Sequence, residues 1–127
     1  EARVITDMVQ NYIVPAAVEY QNKLIKNVSG LQAVLGDKEG KAASKAQIDI
    51  ISKISLHMNK MKDLSDSMLE ARKKANLIEG HEAKAIAYCD EVKVYFDEIR
   101  YNVDKLELLI DDEEWRLPKF REMLFTR

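Results

Sequence analysis

The residues best suited to metal chemistry are two histidines, His57 and His81, in a chain rich in carboxylates. A carboxylate di-iron centre in a helical bundle places a glutamate three residues before each histidine, because residues at that spacing project inward together. The residues at those positions here are Ile54 and Ile78. The spacing therefore indicates no metal site, and a surface or turn histidine is the simpler interpretation of each.

The only cysteine, Cys89, has no CxxC partner. A nucleophilic thiol needs electropositive surroundings that favour the thiolate, so we expect a structural, half-buried thiol beside the core. A lone cysteine excludes an internal disulfide framework and favours a reducing, cytoplasmic compartment. The segment GDKEGK lacks the spacing of a phosphate-binding loop. We predict no catalytic, cofactor-binding or metal-binding residue in this chain.

Composition limits the fold and the partners. The chain has 127 residues, 46% hydrophobic and 33% charged, which is typical of one globular, helix-rich domain spanning residues 1–127. The net charge of −2 argues against nucleic-acid binding. No apolar run approaches the roughly 20 residues that a helix needs to cross a bilayer, so we expect no membrane partner.

Apolar residues recur at helical spacing over three stretches, about 2–35, 44–79 and 81–110. Pro15 lies inside the first stretch, where it removes a backbone donor, and it predicts either a kinked helix or two helices that meet near Val14. Gly36 suits a helix end, the segment 36–43 reads as a polar linker, and Ser44 suits the N-cap of the second helix.

Gly80 separates the second and third stretches. It is either a kink in one helix or a tight reversal between two, and the sequence favours the reversal. Three long helices joined by short turns pack up-down-up with shallow crossing angles. The predicted fold is all-α: an antiparallel bundle of three long helices, the first kinked near Pro15, with a short C-terminal docking segment.

The docking segment is the tail 115–127, which follows the acidic run 111–114. Its large apolar groups are too concentrated to remain in water. It docks either on its own bundle or on another surface. The residues predicted to dock are Trp115, Leu117, Pro118, Phe120, Leu124 and Phe125.

Three stretches of the sequence resemble a known family. The opening EARVITDMVQNYIVPAAVEYQNKLIKNV, the piece MLEARKKAN, and the closing AYCDEVKVYFDEIRYNVDKLELLIDDEEWRLPKFREMLF are similar to the carboxy-terminal region of type III glutamine synthetases, the large bacterial form of that enzyme. The resemblance covers essentially the whole chain. The family pattern usually has Pro where Arg116 stands and Tyr where Phe120 stands. Because the chain starts inside an apolar-periodic segment, we interpret it as a fragment of a longer protein.

The resemblance implies a parent enzyme of nitrogen metabolism that makes glutamine by ATP-dependent ligation of ammonia to glutamate, with magnesium or manganese. It also implies a dodecamer of two stacked rings, in which the partners of this fragment are the rest of its own chain and the neighbouring subunits of the homo-oligomer. The family's active site lies upstream, so no catalytic residue carries over and the fragment alone is expected to be inactive.

Two hypotheses of function follow. The first is a non-catalytic structural or assembly domain of a glutamine synthetase. The second is an independent helical module that binds a peptide or a regulatory partner in a groove between helices.

Overall fold

A computed structural model of the chain describes residues 2–110, which form four continuous helical segments. The described part contains no strand. The elements in chain order are α1 (Ala2–Met8), a π-helical turn (Val9–Ile13), α2 (Val14–Leu35), α3 (Asp37–Ala43), α4 (Lys45–Asn76), α5 (His81–Ala87), a second π-helical turn (Tyr88–Val92) and α6 (Val94–Leu109).

The three long segments run antiparallel, and α4 lies between the other two. The Gln21 side-chain amide donates to the Ile51 carbonyl at 3.0 Å and to the Ser55 hydroxyl at 2.7 Å, which joins α2 to α4. On the other side, His57 of α4 contacts Asn102 of α6 at 2.9 Å. Between the long segments of the described part, every extended contact involves α4.

The prediction of an all-α fold is therefore confirmed, but a bundle of three mutually packed helices is not. The described residues form four segments rather than three, and the first and last segments share no extended interface. Helix α4 packs against both α2 and α6, so the two outer segments meet α4 rather than each other.

The core is built around a seven-residue repeat on α4. The fully buried members of this repeat are Ile54, Met61, Met68 and Ala75. Such a repeat keeps one seam of a helix facing its neighbours along its whole length. Burial of each large side chain contributes about 1.5–3 kcal/mol relative to exposure. The methionines at core spacing are ordinary packing residues, as their spacing predicts.

Pro15 is accommodated by the first π-helical turn. Pro15 has no N–H, and inside a regular helix its ring clashes with the carbonyl of the residue four positions earlier, here Asn11. Just before it, the N–H of Val14 donates to the carbonyl of Val9, five residues back. The segment 2–35 is therefore one continuous helix whose geometry changes next to Pro15, with α2 beginning at Val14.

The expected linker 36–43 is wrong, because residues 37–43 form α3. Gly36 does end α2, with a φ of +89° that suits glycine. Helix α3 packs closely on α2 because Gly40 has no side chain: a Cβ there would lie 2.8 Å from the backbone nitrogen of Gln32. Contact with α2 thus stabilises a helix in a polar stretch whose composition predicts a loop.

Ser44 lies immediately before α4, as predicted, but it does not cap that helix. Its buried hydroxyl donates to the Gly40 carbonyl at 2.6 Å, at the end of α3. The chain reverses at Gly80, whose φ is +92°. The Tyr88 hydroxyl then donates to Asn76 Oδ1 at 2.9 Å and ties the start of the last segment to the end of α4.

None of the helices that the structure describes combines the length and the apolar character needed to cross a membrane.

Candidate functional site: the groove between α4 and α6

A shallow groove follows the outside of the seam between α4 and α6. Three depressions lie along it in the described part of the chain. One end is lined by Lys53, Tyr101 and Leu108, and the other end by Ala71 and Val94. The groove therefore extends over most of the length of α6, with α4 as one wall and α6 as the other.

A buried asparagine holds the polar centre of the groove. Asn102 is 4% exposed, and its Nδ2 donates to the Glu98 carbonyl at 2.9 Å. Its Oδ1 therefore faces His57, whose Nδ1 lies 2.9 Å away. An amide oxygen can only accept, so the Nδ1–H of His57 donates this hydrogen bond.

Tyr101 and Lys105 form the outer wall beside this pair. The rings of His57 and Tyr101 meet edge to face, with centroids 6.4 Å apart and planes at 66°. The Lys105 ammonium lies 5.3 Å from the centroid of the Tyr101 ring, a cation–π distance. This arrangement presents apolar and cationic groups at a shallow surface, which suits the binding of another polypeptide segment.

Asn102 is a polar residue on the core side of its helix. It is buried against α4, whereas Glu98, one turn earlier, is exposed. The position is on the core side of α6, and its polar side chain is tolerated there because both ends of the amide are hydrogen-bonded.

The other candidate side chains lie apart from this groove. His81 is exposed at the first position of α5, in agreement with a surface histidine rather than a turn histidine. Cys89 is exposed, so the expectation of a half-buried thiol is wrong. It lies inside the π-helical turn Tyr88–Val92, whose extra residue per turn shifts the register that the sequence pattern assumed.

No three or more His, Cys, Asp or Glu side chains within residues 2–110 are grouped so that they could hold a metal ion. The predicted docking residues all lie outside the described residues: Trp115, Leu117, Pro118, Phe120, Leu124 and Phe125.

Sequence reasoning also missed an apolar stripe along the rim of the groove. Val94, Tyr101 and Leu108 are 53%, 57% and 80% exposed, although each is a large apolar or aromatic residue. They repeat every seven residues, a signal that was present in the sequence. It was obscured because the core positions of the same helix carry a stronger repeat.

Comparison with known proteins gives the chain a relationship. No family model matches the sequence. A glutamine synthetase of Bacteroides fragilis (strain YCH46) is 42% identical over 127 residues, which is 100% of this chain. The chain is similar to part of a glutamine synthetase. A type-3 glutamine synthetase of Dictyostelium discoideum is 22% identical, also over 127 residues.

These comparisons confirm the resemblance to glutamine synthetases that was inferred from the sequence. The chain spans 17% of the length of each of these two relatives. One relative comes from a bacterium and the other from a eukaryote, so the similarity to glutamine synthetases does not by itself indicate a bacterial source.

Proposed function

We propose that this chain is a non-catalytic structural and assembly domain at the carboxy-terminal end of a glutamine synthetase. One observation carries the proposal: the whole chain is 42% identical to a stretch that makes up 17% of a glutamine synthetase. A segment of this size, similar from end to end, is expected to be one structural unit of the larger enzyme. The same similarity favours this function over an independent peptide-binding module.

The fold supports an architectural function. Helix α4 buries apolar side chains against a helix on each side, and α3 is fixed on α2 through Gly40. The side chains in the α4–α6 groove suit contact with another polypeptide. A domain with this combination of a packed interior and an apolar outer rim fits a part of a protein that joins other parts.

The proposal also includes the activity of the full-length enzyme that contains this domain. By resemblance, the full enzyme joins ammonia to glutamate at the expense of ATP, with magnesium or manganese bound in its upstream domains. It works in the cytoplasm as a homo-oligomer. The partners proposed for this domain are the rest of its own chain and the neighbouring subunits, and the tail 115–127 is the segment proposed to dock.

The test uses the full-length glutamine synthetase that contains this domain. Deletion of residues 115–127 is expected to lower the fraction of enzyme in the assembled oligomer, measured by light scattering after size-exclusion chromatography. Turnover per assembled oligomer, measured as ATP-dependent glutamine formation, should stay unchanged. Gly30→Ala is the control, because nothing lies within 4 Å of a Cβ added at Gly30 and the substitution leaves the tail intact.

Two results would contradict the proposal. Unchanged oligomer mass together with unchanged turnover would show that the tail has no role in assembly. A loss of turnover per assembled oligomer, with assembly intact, would show that the segment acts in catalysis.

A further inference from the structure

The groove between α4 and α6 is basic at the end where the described chain leaves the bundle. The depression at that end is lined by Lys53, His57, Tyr101, Lys105, Leu108 and Leu109. Two of these side chains are lysines and none of them is a carboxylate. Helix α6 ends at Leu109, and Ile110 has an extended backbone with a φ of −92° and a ψ of 141°. The chain therefore turns out of α6 directly beside this basic depression.

Both lysines can accept a further carboxylate. The Lys53 ammonium lies 3.0 Å from an oxygen of Asp49, but the two side chains are 55% and 60% exposed, and an exposed pair of this kind is weak. The Lys105 ammonium lies over the ring of Tyr101, which carries no net charge. An acidic segment placed at this end of the groove would therefore meet two cations.

The next depression along the groove is acidic. Its charged side chains are Lys60, Asp63, Asp97 and Glu98, three carboxylates against one ammonium. Tyr101 lines both depressions, so the basic end and the acidic middle adjoin at that residue. Starting from the point where α6 ends, the groove thus changes from basic to acidic.

The segment that follows Ile110 has the opposite order of charges. Its first four residues, 111–114, are all acidic, and Trp115 comes next. The charged residues after Trp115 are Arg116, Lys119, Arg121, Glu122 and Arg127, four cations against one carboxylate. A segment that runs back along the groove from Ile110 therefore places acidic residues at the basic end and basic residues at the acidic middle, which is electrostatic complementarity in sequence order.

The lengths of the two surfaces also agree. Tyr101 lies about 13.5 Å from Ile110 along the helix, at 1.5 Å per residue. An extended chain spans at most about 3.3–3.6 Å per residue, so the four acidic residues cover about 13–14 Å. Trp115 can then reach Tyr101 and His57, where the depression has a volume of about 330 Å³. Arg116 can reach the level of Glu98, about 18 Å from Ile110.

We propose that the segment 111–127 of the same chain folds back into the α4–α6 groove. Its acidic run lies at the basic end, Trp115 packs between His57 and Tyr101, and its basic residues lie at the acidic middle. The order of charges identifies this occupant, and a segment joined directly to Ile110 meets the groove at a high effective concentration. The inference rests on the docking of the tail in the proposed function and names the surface on which the tail docks.

The experiment measures how accessible Trp115 is in the 127-residue chain. Trp115 is the only tryptophan, so its fluorescence reports on this segment alone. A peptide of residues 111–127 is the reference for a free tail. Quenching of Trp115 by acrylamide should be at least about twofold weaker in the chain than in the peptide, because pockets bury most of the surface of what they bind. Sedimentation velocity of the same samples should give the mass of a monomer.

Charge reversal at the basic end tests the position. Lys53→Glu with Lys105→Glu should lower the ratio of docked to free tail roughly tenfold, which increases the quenching of Trp115. Lys26→Glu with Lys38→Glu is the matched control, because it changes the net charge equally at exposed positions of α2 and α3, outside the groove. This control should leave the quenching unchanged.

A second reversal should restore docking. In the variant with Lys53→Glu and Lys105→Glu, replacement of all four acidic residues of the run 111–114 by lysine should return the quenching to that of the unmodified chain. The same replacement in a chain that keeps both lysines should release the tail. Circular dichroism will verify that every variant keeps its helical content.

Three results would overturn the inference. The first is a Trp115 as accessible in the chain as in the peptide. The second is an equal response of the groove variant and its control. The third is protection of Trp115 that rises with chain concentration together with a dimer mass, because the tail would then occupy the groove of a second copy.

The outcome is separate from that of the proposed function. An accessible Trp115, together with loss of assembly when the tail is deleted from the full-length enzyme, would contradict only the placement in this groove. A protected Trp115 that responds to the charge reversals, together with unchanged assembly and turnover after the deletion, would support the placement and contradict the role in assembly.

Discussion

Gly40→Ala tests the packing of α3 on α2, the contact that converts an apparent linker into a helix. An added Cβ would meet the backbone nitrogen of Gln32 at 2.8 Å and its Cγ at 2.9 Å, and its Cα more closely still. The backbone of α2 cannot rotate out of the way as a side chain could. Helix α3 must therefore move away from α2 or lose part of its contact.

The magnitude follows from two opposing terms. Alanine is favoured over glycine inside a helix by about 1 kcal/mol, which acts in favour of the variant. Overpacking costs about 1–3 kcal/mol and more where the neighbouring atoms are backbone. We expect a net loss of about 1–2 kcal/mol in the free energy of unfolding.

Gly30→Ala is the matched control, because it makes the same chemical change inside a helix. Nothing lies within 4 Å of a Cβ at Gly30. Only the helix-propensity term remains, so this variant should gain about 1 kcal/mol. The two variants should therefore differ by about 2–3 kcal/mol, which corresponds to about 8–12 °C in Tm for a domain of this size.

The assay is urea denaturation followed by circular dichroism, with thermal melting as a second measurement. The m-value should stay constant in both variants if each remains two-state. A Gly40→Ala chain as stable as Gly30→Ala would refute the close contact between α3 and α2. A loss of stability in Gly30→Ala would refute the reasoning that assigns the difference to packing.

Two further predictions concern buried polar groups in the described core. The hydroxyls of Ser65 and Ser44 are both in fully buried residues, but that of Ser65 has no hydrogen-bond partner while that of Ser44 donates to a carbonyl. Ser65→Ala should therefore raise the free energy of unfolding by about 1 kcal/mol and Ser44→Ala should lower it by a similar amount, in urea titrations; equal effects of the same sign would contradict this interpretation. Asn102→Ala removes the partner of His57 and should cost about 1–3 kcal/mol, whereas Asn59→Ala, at an exposed position of α4, should stay within about 0.5 kcal/mol. A change in Asn102→Ala no larger than that in Asn59→Ala would show that the buried amide contributes nothing to stability.

The sequence predicted the long helices because their apolar periods are strong. The repeat of Ile54, Met61 and Met68 marks the centre of the fold. Gly36 and Gly80, each with a positive φ, mark the end of α2 and the turn between α4 and α5. These features are local, since a period or a glycine conformation depends on neighbours in the chain.

The remaining features depend on contacts between distant residues. Helix α3 packs on α2 where Gly40 contacts Gln32. The polar composition of residues 37–43 gives no sign of this contact. Asn102 can be buried because its Oδ1 accepts a hydrogen bond from His57, which lies 45 positions earlier in the chain. Cys89 is exposed and lies in a π-helical turn. The apolar pattern of the sequence did not predict the extra residue in that turn. The docking function of the tail stays a prediction, since residues 111–127 lie outside the described part.

The central position of α4 has a consequence for how the molecule opens. Because the extended contacts between its long segments all involve α4, either outer segment can detach while the other remains packed. Partial opening would then expose only one side of α4 at a time, and the two outer segments would behave as separate cooperative units. The amide protons of α4 should accordingly be the last to exchange with solvent, because their exposure requires both units to be lost.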